Sequence, residues 1–247
     1  MAKDDVRAEW EAVATGWRRW EPLFQSFTWP LALRMTAVAQ IGDGQRVLDV
    51  GCGIGDPTLQ VAVLVGPHGR VVGVDLVEDM LATARERAAS LGLGHVEFRA
   101  GDVASMDLAP HAFDAVLGRW SLIYVREVDV VLARLRETIV PGGRIAVAAW
   151  APPDANPWIT IPIAALARAG FADVRQERVQ LSQFARDAGE FWGMLTDMAG
   201  PLAPMIAGLD AGGRARVLEQ VTDDIERFRV GDVLRIPARA QLAWGHL

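Results

Sequence analysis

The stretch 46–55, RVLDVGCGIG, constrains this chain more than any other. Val47, Leu48 and Val50 read as a buried strand, and Gly51, Gly53 and Gly55 as a tight turn leaving it. Glycine accepts positive φ and lets a ligand approach the backbone without meeting a Cβ. Asp56-Pro57 follows and predicts a helix start: aspartate caps helices, and proline at the first helical position gives up an N–H that has no partner there. Strand, glycine turn and helix in that order put a ligand outside the carboxyl end of the strand.

Strand and helix signals alternate around this stretch. Strands are predicted at 46–50, 70–74, 95–99, 113–117 and 144–150, with helices at 57–65, 78–91 and 127–139 between them. The turns are GPHG (66–69), Gly92, Gly94 and PGG (141–143). Such alternation predicts an α/β fold with a doubly wound, mostly parallel sheet. Upstream, Trp10, Val13, Trp17 and Trp20 share one face of a helix over 5–20. A second helix is expected over 30–41, capped by Thr28 and stopped by Gly42. After Trp150 the proline-rich APPDANPW breaks the pattern. A helix at 164–169, a strand at 172–181, helices over 187–228 broken at Pro201 and Pro204, and a last strand over 236–244 complete the chain. The whole reads as one domain, 1–247: a helical cap over 1–42, a ligand-binding core over 43–150, and a C-terminal part over 151–247 with a helical insertion at about 187–228.

Composition narrows the function. Hydrophobic residues make up 51% of the 247, enough for a full core. A net charge of −6 argues against nucleic acid as the partner, because such proteins present a basic field. The single cysteine, Cys52, excludes an intrachain disulfide and fits a reducing compartment. The charged start, MAKDDVRAEWE, is not a secretory signal, and no apolar run is long enough to span a bilayer, so a cytoplasmic protein is expected. One cysteine and four scattered histidines give no metal-ligand spacing. Nine tryptophans against one tyrosine favour a hydrophobic or aromatic ligand. The buried face of the front helix fits two readings, packing on the core or closing over the site with Trp17 on the ligand.

Two ligand classes share a glycine turn with an acidic residue at the end of the second strand. One is a dinucleotide, whose pyrophosphate rests on a helix N-terminus. The other is S-adenosylmethionine, which has the ribose diol but no phosphate. The spacing here is G-x-G-x-G, with Asp56 where the dinucleotide pattern wants Gly or Ala. Asp49 and Asp56 would repel a pyrophosphate and favour an ammonium and a sulfonium. Asp49, Asp75 and Asp102 fall at the ends of three successive strands. A carboxylate at Asp102 suits the exocyclic amine of adenine.

VLDVGCGIGDPTL, GVDLVEDML, FRAGDV, FDAVLGRWSLIYV, VPGGRIAVAAW and NPW, in that order, resemble the class I S-adenosylmethionine-dependent methyltransferases, in particular the bacterial branch akin to the ubiquinone and menaquinone C-methyltransferases. The resemblance implies a seven-stranded sheet of order 3-2-1-4-5-7-6 with the last strand antiparallel. It implies that Gly51, Cys52, Gly53 and Gly55 bring backbone to the methionine part and that Asp49 supports the turn and the amino group. Asp75 would take the ribose hydroxyls, Leu76 and Met80 would flank the adenine, and Gly101, Asp102 and Val103 would bound its amine edge. Gly118, Arg119 and Trp120 would lie beside the transferred methyl, with Arg119 and Trp17 also near the cofactor. In relatives a longer stretch separates NPW from the GF strand. Here only 159–169 join them, so either the lid is shortened or the sequence omits a mobile piece.

Methyl transfer from a sulfonium is an in-line displacement, and the protein's part is proximity, alignment and water exclusion. No general base stands out. His68, His95, His111 and His246 all miss the carboxyl ends of the core strands and read as structural or surface groups. Tyr124 follows strand four, where it either hydrogen-bonds an acceptor or packs as an aromatic. Arg119 either orients an anionic or enolate acceptor or pairs with a neighbouring carboxylate. Cys52 lacks a histidine partner and reads as a packing residue. Trp17, Trp20, Trp120, Tyr124 and Trp158 are the candidate acceptor contacts. The expected function is methylation, at carbon or oxygen, of a quinone, phenol or polyketide-like molecule. The alternatives are a rearrangement or cyclisation around bound S-adenosylmethionine, and a nicotinamide oxidoreductase. The sequence does not select between monomer and homodimer.

Overall fold

The computed structural model describes residues 3–150, 172–198 and 208–247. A long helix α1 (Lys3–Val38) leads into β1 (Arg46–Val50), α2 (Thr58–Val65), β2 (Arg70–Asp75), α3 (Glu78–Ser90) and β3 (Val96–Ala100). Then come β4 (Phe113–Arg119), a short 3-10 turn (Leu122–Tyr124), α4 (Val128–Thr138) and β5 (Ile139–Trp150). The last part holds β6 (Ala172–Ala185), α5 (Ala188–Met198), α6 (Ala211–Glu226), β7 (Arg229–Val230) and β8 (Val233–His246). Among the described residues the strands form one eight-stranded sheet, ordered β3-β2-β1-β4-β5-β8-β6, with β7 paired to β8. The expected order holds, with β8 as the antiparallel last strand; the two-residue β7 is the addition.

β1 is central because both its faces are apolar. Val47, Leu48 and Val50 are each at most 3% exposed, as parallel strands covered by helices on both faces require. Leu48 sits opposite Val72 of β2 and Val116 of β4. Val131, Leu132 and Leu135 of α4 close one side of the sheet over Val116 and Ile145. Leu59 of α2 and Leu81 and Ala84 of α3 pack with Cys52 and Phe98. Beyond β5, β8 runs antiparallel to it, with Ala146 opposite Trp244.

Three local expectations are corrected. The two front helices are one: α1 continues through Pro30, and Thr28 is an interior residue whose hydroxyl bonds back to the Gln25 carbonyl rather than capping. The stop is not Gly42. Gln40 adopts φ +52°, with Ile41 N–H on the Thr36 carbonyl and Gln40 N–H on the Ala37 carbonyl, a Schellman closure in which glutamine holds the place glycine usually takes. The PGG stretch does not precede β5 but interrupts it: Ile139 pairs with Phe113, and pairing resumes with Arg144 opposite Ala115.

The chain divides into two compact units. One comprises Met1–Trp29 with Gln180–Ala238, the other Pro30–Val179 with Arg239–Leu247. In the first, α1 lies tight on α5, since a Cβ on Gly16 would sit 1.9 Å from the Asp197 carbonyl oxygen. Ala185, Ala188, Ile225 and Leu234 form its small core. The second holds β1–β5 with α2–α4. The predicted helix at 164–169 and the short 159–169 segment lie outside the described residues. No helix among the described residues is long and apolar enough to cross a membrane.

Candidate active site

The glycine turn is held by its neighbours. Gly51 N–H and Cys52 N–H both donate to the Val74 carbonyl at the end of β2, at 2.8 and 3.1 Å. Gly53 N–H donates to Asp75 Oδ2 at 2.8 Å, and Val77 N–H to Asp75 Oδ1 at 3.0 Å. Asp75 therefore braces two turns with one carboxylate, and burial raises its pKa against those two donors. Gly51 (φ +69°) is required twice over, because a Cβ there would meet Ser121 Cβ at 2.2 Å. Gly53 (φ +53°) has an open outer side among the described residues, where a Cβ would meet only Met80 Sδ, at 3.8 Å. The Cys52 side chain goes into the core, and burial pushes its thiol well up, so it offers no nucleophile.

Beneath the turn lies a buried set of charges. Asp49 is fully buried; Thr58 Oγ1 donates to its Oδ2 at 2.5 Å, while Oδ1 has no hydrogen-bond partner among the described residues. Burial lifts the Asp49 carboxyl to about 7, although the Thr58 hydroxyl and the Arg119 charge pull the other way. Asp56 does not cap α2, which begins at Thr58 without a side-chain cap. Its carboxylate is taken instead by Arg87 of α3, at 3.0 Å, and by Gln60. Arg119 is 8% exposed and donates to the Asp56 backbone carbonyl at 2.7 Å. Burial lowers its pKa while Asp56 and Asp49 raise it. One further strand along, Gly101 N–H bonds the Asp75 carbonyl, and Asp102 Oδ1 accepts from Ala104 N–H at 2.9 Å. Val103 and Met80 are buried and Leu76 is half-buried.

The ends of β4 and β5 are aromatic. Trp120 adopts φ +55°, a left-handed backbone in a bulky residue, and its N–H donates to the Ala148 carbonyl at 2.7 Å. Its ring stacks on Trp150 with centroids 4.1 Å apart and planes 11° from parallel. Half-buried Tyr124 ends the short 3-10 turn. Ser121 Oγ is buried with no hydrogen-bond partner among the described residues. Sequence reasoning passed over Ser121, Trp150, Thr58 and Arg87. Only Ser121 left a local signal, the glycine at position 51 that its side chain demands.

Trp17 and Trp20 belong to the first unit, where Trp17 Nε1 donates to the Met198 carbonyl at 3.1 Å and Trp20 Nε1 to Asp197 at 2.8 Å. Trp17 also packs edge-on against Phe24. Trp158 lies outside the described residues. His95 and His111 bond to the Ala62 and Ile139 carbonyls, which are structural contacts. No group of side chains among the described residues could hold a metal ion.

Two buried polar atoms without hydrogen-bond partners among the described residues, Asp49 Oδ1 and Ser121 Oγ, flank Gly51, one in the chain and one in space. An orphaned buried group is costly, and a ligand's polar atoms would satisfy it. A carboxylate oxygen in that position fits an ammonium and repels a pyrophosphate. A family model described as a methyltransferase domain matches residues 41–183. The chain belongs to the class I S-adenosylmethionine-dependent methyltransferases. Over 120 residues, 49% of this chain and 54% of the relative, it is 33% identical to an aklanonic acid methyltransferase of Streptomyces sp. (strain C5). Over 108 residues, 44% and 46% of the two chains, it is 35% identical to a demethylmenaquinone methyltransferase of Bacillus cytotoxicus. The matched part spans about half the length of these curated relatives. A phosphoethanolamine N-methyltransferase of Haemonchus contortus, solved with S-adenosylhomocysteine, shares the fold at a TM-score of 0.58 and 17% identity, covering 91% of this chain and 56% of that one. Methyl transfer from a sulfonium requires no protein nucleophile, and the buried Cys52 thiol offers none.

Proposed function

We propose that this methyltransferase moves the methyl group of S-adenosylmethionine to a small hydrophobic or aromatic acceptor, of the quinone, phenol or polyketide kind, at carbon or oxygen. The observation that carries this reading is the unmatched Asp49 Oδ1 beneath a glycine turn whose outer side is open. The relatives named for aklanonic acid and demethylmenaquinone support a small-molecule acceptor.

The backbone of Gly51–Gly53 would hold the methionine part, with Asp49 and Ser121 answering its polar groups. Asp75 would take the ribose hydroxyls, Met80 and Leu76 would flank the adenine, and Asp102 with Val103 would meet the amine edge. Bound S-adenosylmethionine supplies an activated methyl group on a sulfonium. The chain's contribution is then alignment and exclusion of water. Arg119 acts from below: by holding the Asp56 carbonyl it fixes the corner where the turn enters α2, a positioning role rather than contact with an acceptor. Trp120 and Tyr124 would face the acceptor. With no histidine at these strand ends among the described residues, an acceptor that is already acidic or enolised suits the site.

Calorimetric titration tests the donor: binding of S-adenosylmethionine with no binding of NAD is expected, and the reverse sinks the reading. Incubation with a panel of phenols and quinols then tests the chemistry. Stoichiometric S-adenosylhomocysteine supports transfer, whereas acceptor conversion without it means rearrangement or cyclisation.

A further inference from the structure

We propose that Arg87 of α3 is a positioning residue for the methyl donor: it sets the second half of the glycine turn, and with it the seat of the donor's amino-acid end. This rests on the donor placement proposed above.

The turn is supported from two directions. Its first half, 51–53, hangs from the end of β2, through the Val74 carbonyl and the Asp75 carboxylate. The second half, 54–56, is gripped by arginines. Arg87 Nη1 donates both to the Ile54 carbonyl, at 2.6 Å, and to Asp56 Oδ2, at 3.0 Å. Arg119 takes the Asp56 carbonyl from β4. Gly53 and Gly55, at φ +53° and +100°, give the turn little stiffness of its own. Its shape is therefore set by what holds it from outside.

Arg87 lies in the last turn of α3, where a cation also suits the helix dipole. The dipole alone requires no partner 33 residues earlier in the chain, yet Arg87 reaches back to Ile54. Only 18% of the Arg87 side chain and 3% of that of Asp56 stay exposed. The pair is therefore screened less than a surface ion pair. It also sorts the charges around the turn. Arg87 offsets Asp56, so the carboxylates offered to a cationic donor are those of Asp49 and Asp75. Both printed bonds leave from one nitrogen, so a lysine ammonium, with three donors on a flexible stem, can replace much of the grip. Methionine fills the space and replaces none of it.

The test is calorimetry with two ligands that share the adenosine and the thioether: S-adenosylhomocysteine, and 5′-methylthioadenosine, which lacks the amino-acid end. Arg87→Met should weaken S-adenosylhomocysteine binding about tenfold, the scale for losing hydrogen bonds from a charged group. Binding of 5′-methylthioadenosine should stay within about twofold, and Arg87→Lys should return S-adenosylhomocysteine to within about threefold of the wild type. An arginine that merely stabilised the fold would weaken both ligands alike when removed. Equal losses for the two ligands, unchanged S-adenosylhomocysteine affinity in Arg87→Met, or an Arg87→Lys as weak as Arg87→Met each overturns the assignment. If Arg87→Met fails to fold, Arg87→Gln, which keeps a polar but uncharged head, takes its place with the same outcomes. A wild type that binds the two ligands equally also overturns it, because the turn then holds no amino-acid end. Failure of the wild type to bind either ligand is a different result and removes the donor reading itself.

Discussion

Two ends of one sheet edge differ in kind. The carboxyl ends of β1, β2 and β3 carry Asp49, Asp75 and Asp102, and those of β4 and β5 carry Trp120 and Trp150. On the acidic side each carboxylate accepts at least one hydrogen bond, and Asp75 links two turns. On the aromatic side Trp120 stacks on Trp150, lies under the Arg119 guanidinium, and bonds through its backbone N–H to the neighbouring strand. Directional bonds fix a single ligand shape, while a π-face accepts many molecules that share flatness.

The strongest way to probe the acidic side is pH. The Asp49 carboxyl sits near 7 in the folded chain, against about 3.9 in an unfolded one. The folded state thus binds this proton more tightly. Its contribution is full below about pH 4 and is lost as pH rises through about 7, on the order of 4 kcal/mol in total. Asp49→Asn should flatten that slope in denaturant titrations of the cofactor-free protein; an unchanged slope removes Asp49 as its source. If Asp49 meets the cofactor's ammonium as proposed, binding favours its ionised form, so wild-type affinity for S-adenosylmethionine should climb as pH rises through about 7, with proton release visible in buffers of different ionisation enthalpy.

Next in size, Gly51→Ala should cost about 3 kcal/mol of stability from backbone strain plus the clash with Ser121. It should also abolish measurable S-adenosylhomocysteine binding. Gly53→Ala, with open space before it, should cost only about 1–2 kcal/mol, the positive φ alone. Equal losses at the two positions would mean that the Ser121 contact carries no weight. Asp75→Ala should weaken cofactor binding by about 1–3 kcal/mol, and calorimetry showing unchanged affinity would remove it from the donor side. Smallest is Ser121→Ala, which should cost about 1 kcal/mol of S-adenosylhomocysteine affinity. Ser121 follows the aromatic strand yet touches the acidic one, so an affinity that does not move would make the boundary between the two ends sharper than drawn.

The fold was legible where period and burial agree. Val47, Leu48 and Val50 read as a strand because both faces are apolar, and Val131, Leu132 and Leu135 as a helix because their spacing gives one buried face. The acidic side was legible for a related reason: each aspartate lies within two residues of the carboxyl end of its strand, so sequence position is spatial position. What sequence reading missed depends on distant partners. Asp56 looks like a cap until Arg87, 31 residues on, claims its carboxylate. Trp150 gives no sign of stacking, because its partner lies 30 residues earlier on the neighbouring strand. Pro30 looks like a helix boundary, yet α1 runs on to a glutamine-closed end.

The bond from Gly53 N–H to the Asp75 carboxylate has a kinetic consequence. The turn, β2 and the loop to Val77 are already locked together before any nucleoside arrives. Ordering this segment therefore belongs to folding rather than to association. Capture of the adenosine moiety should proceed in a single bimolecular phase, its observed rate rising linearly with ligand concentration and showing no plateau from a loop that has to rearrange first.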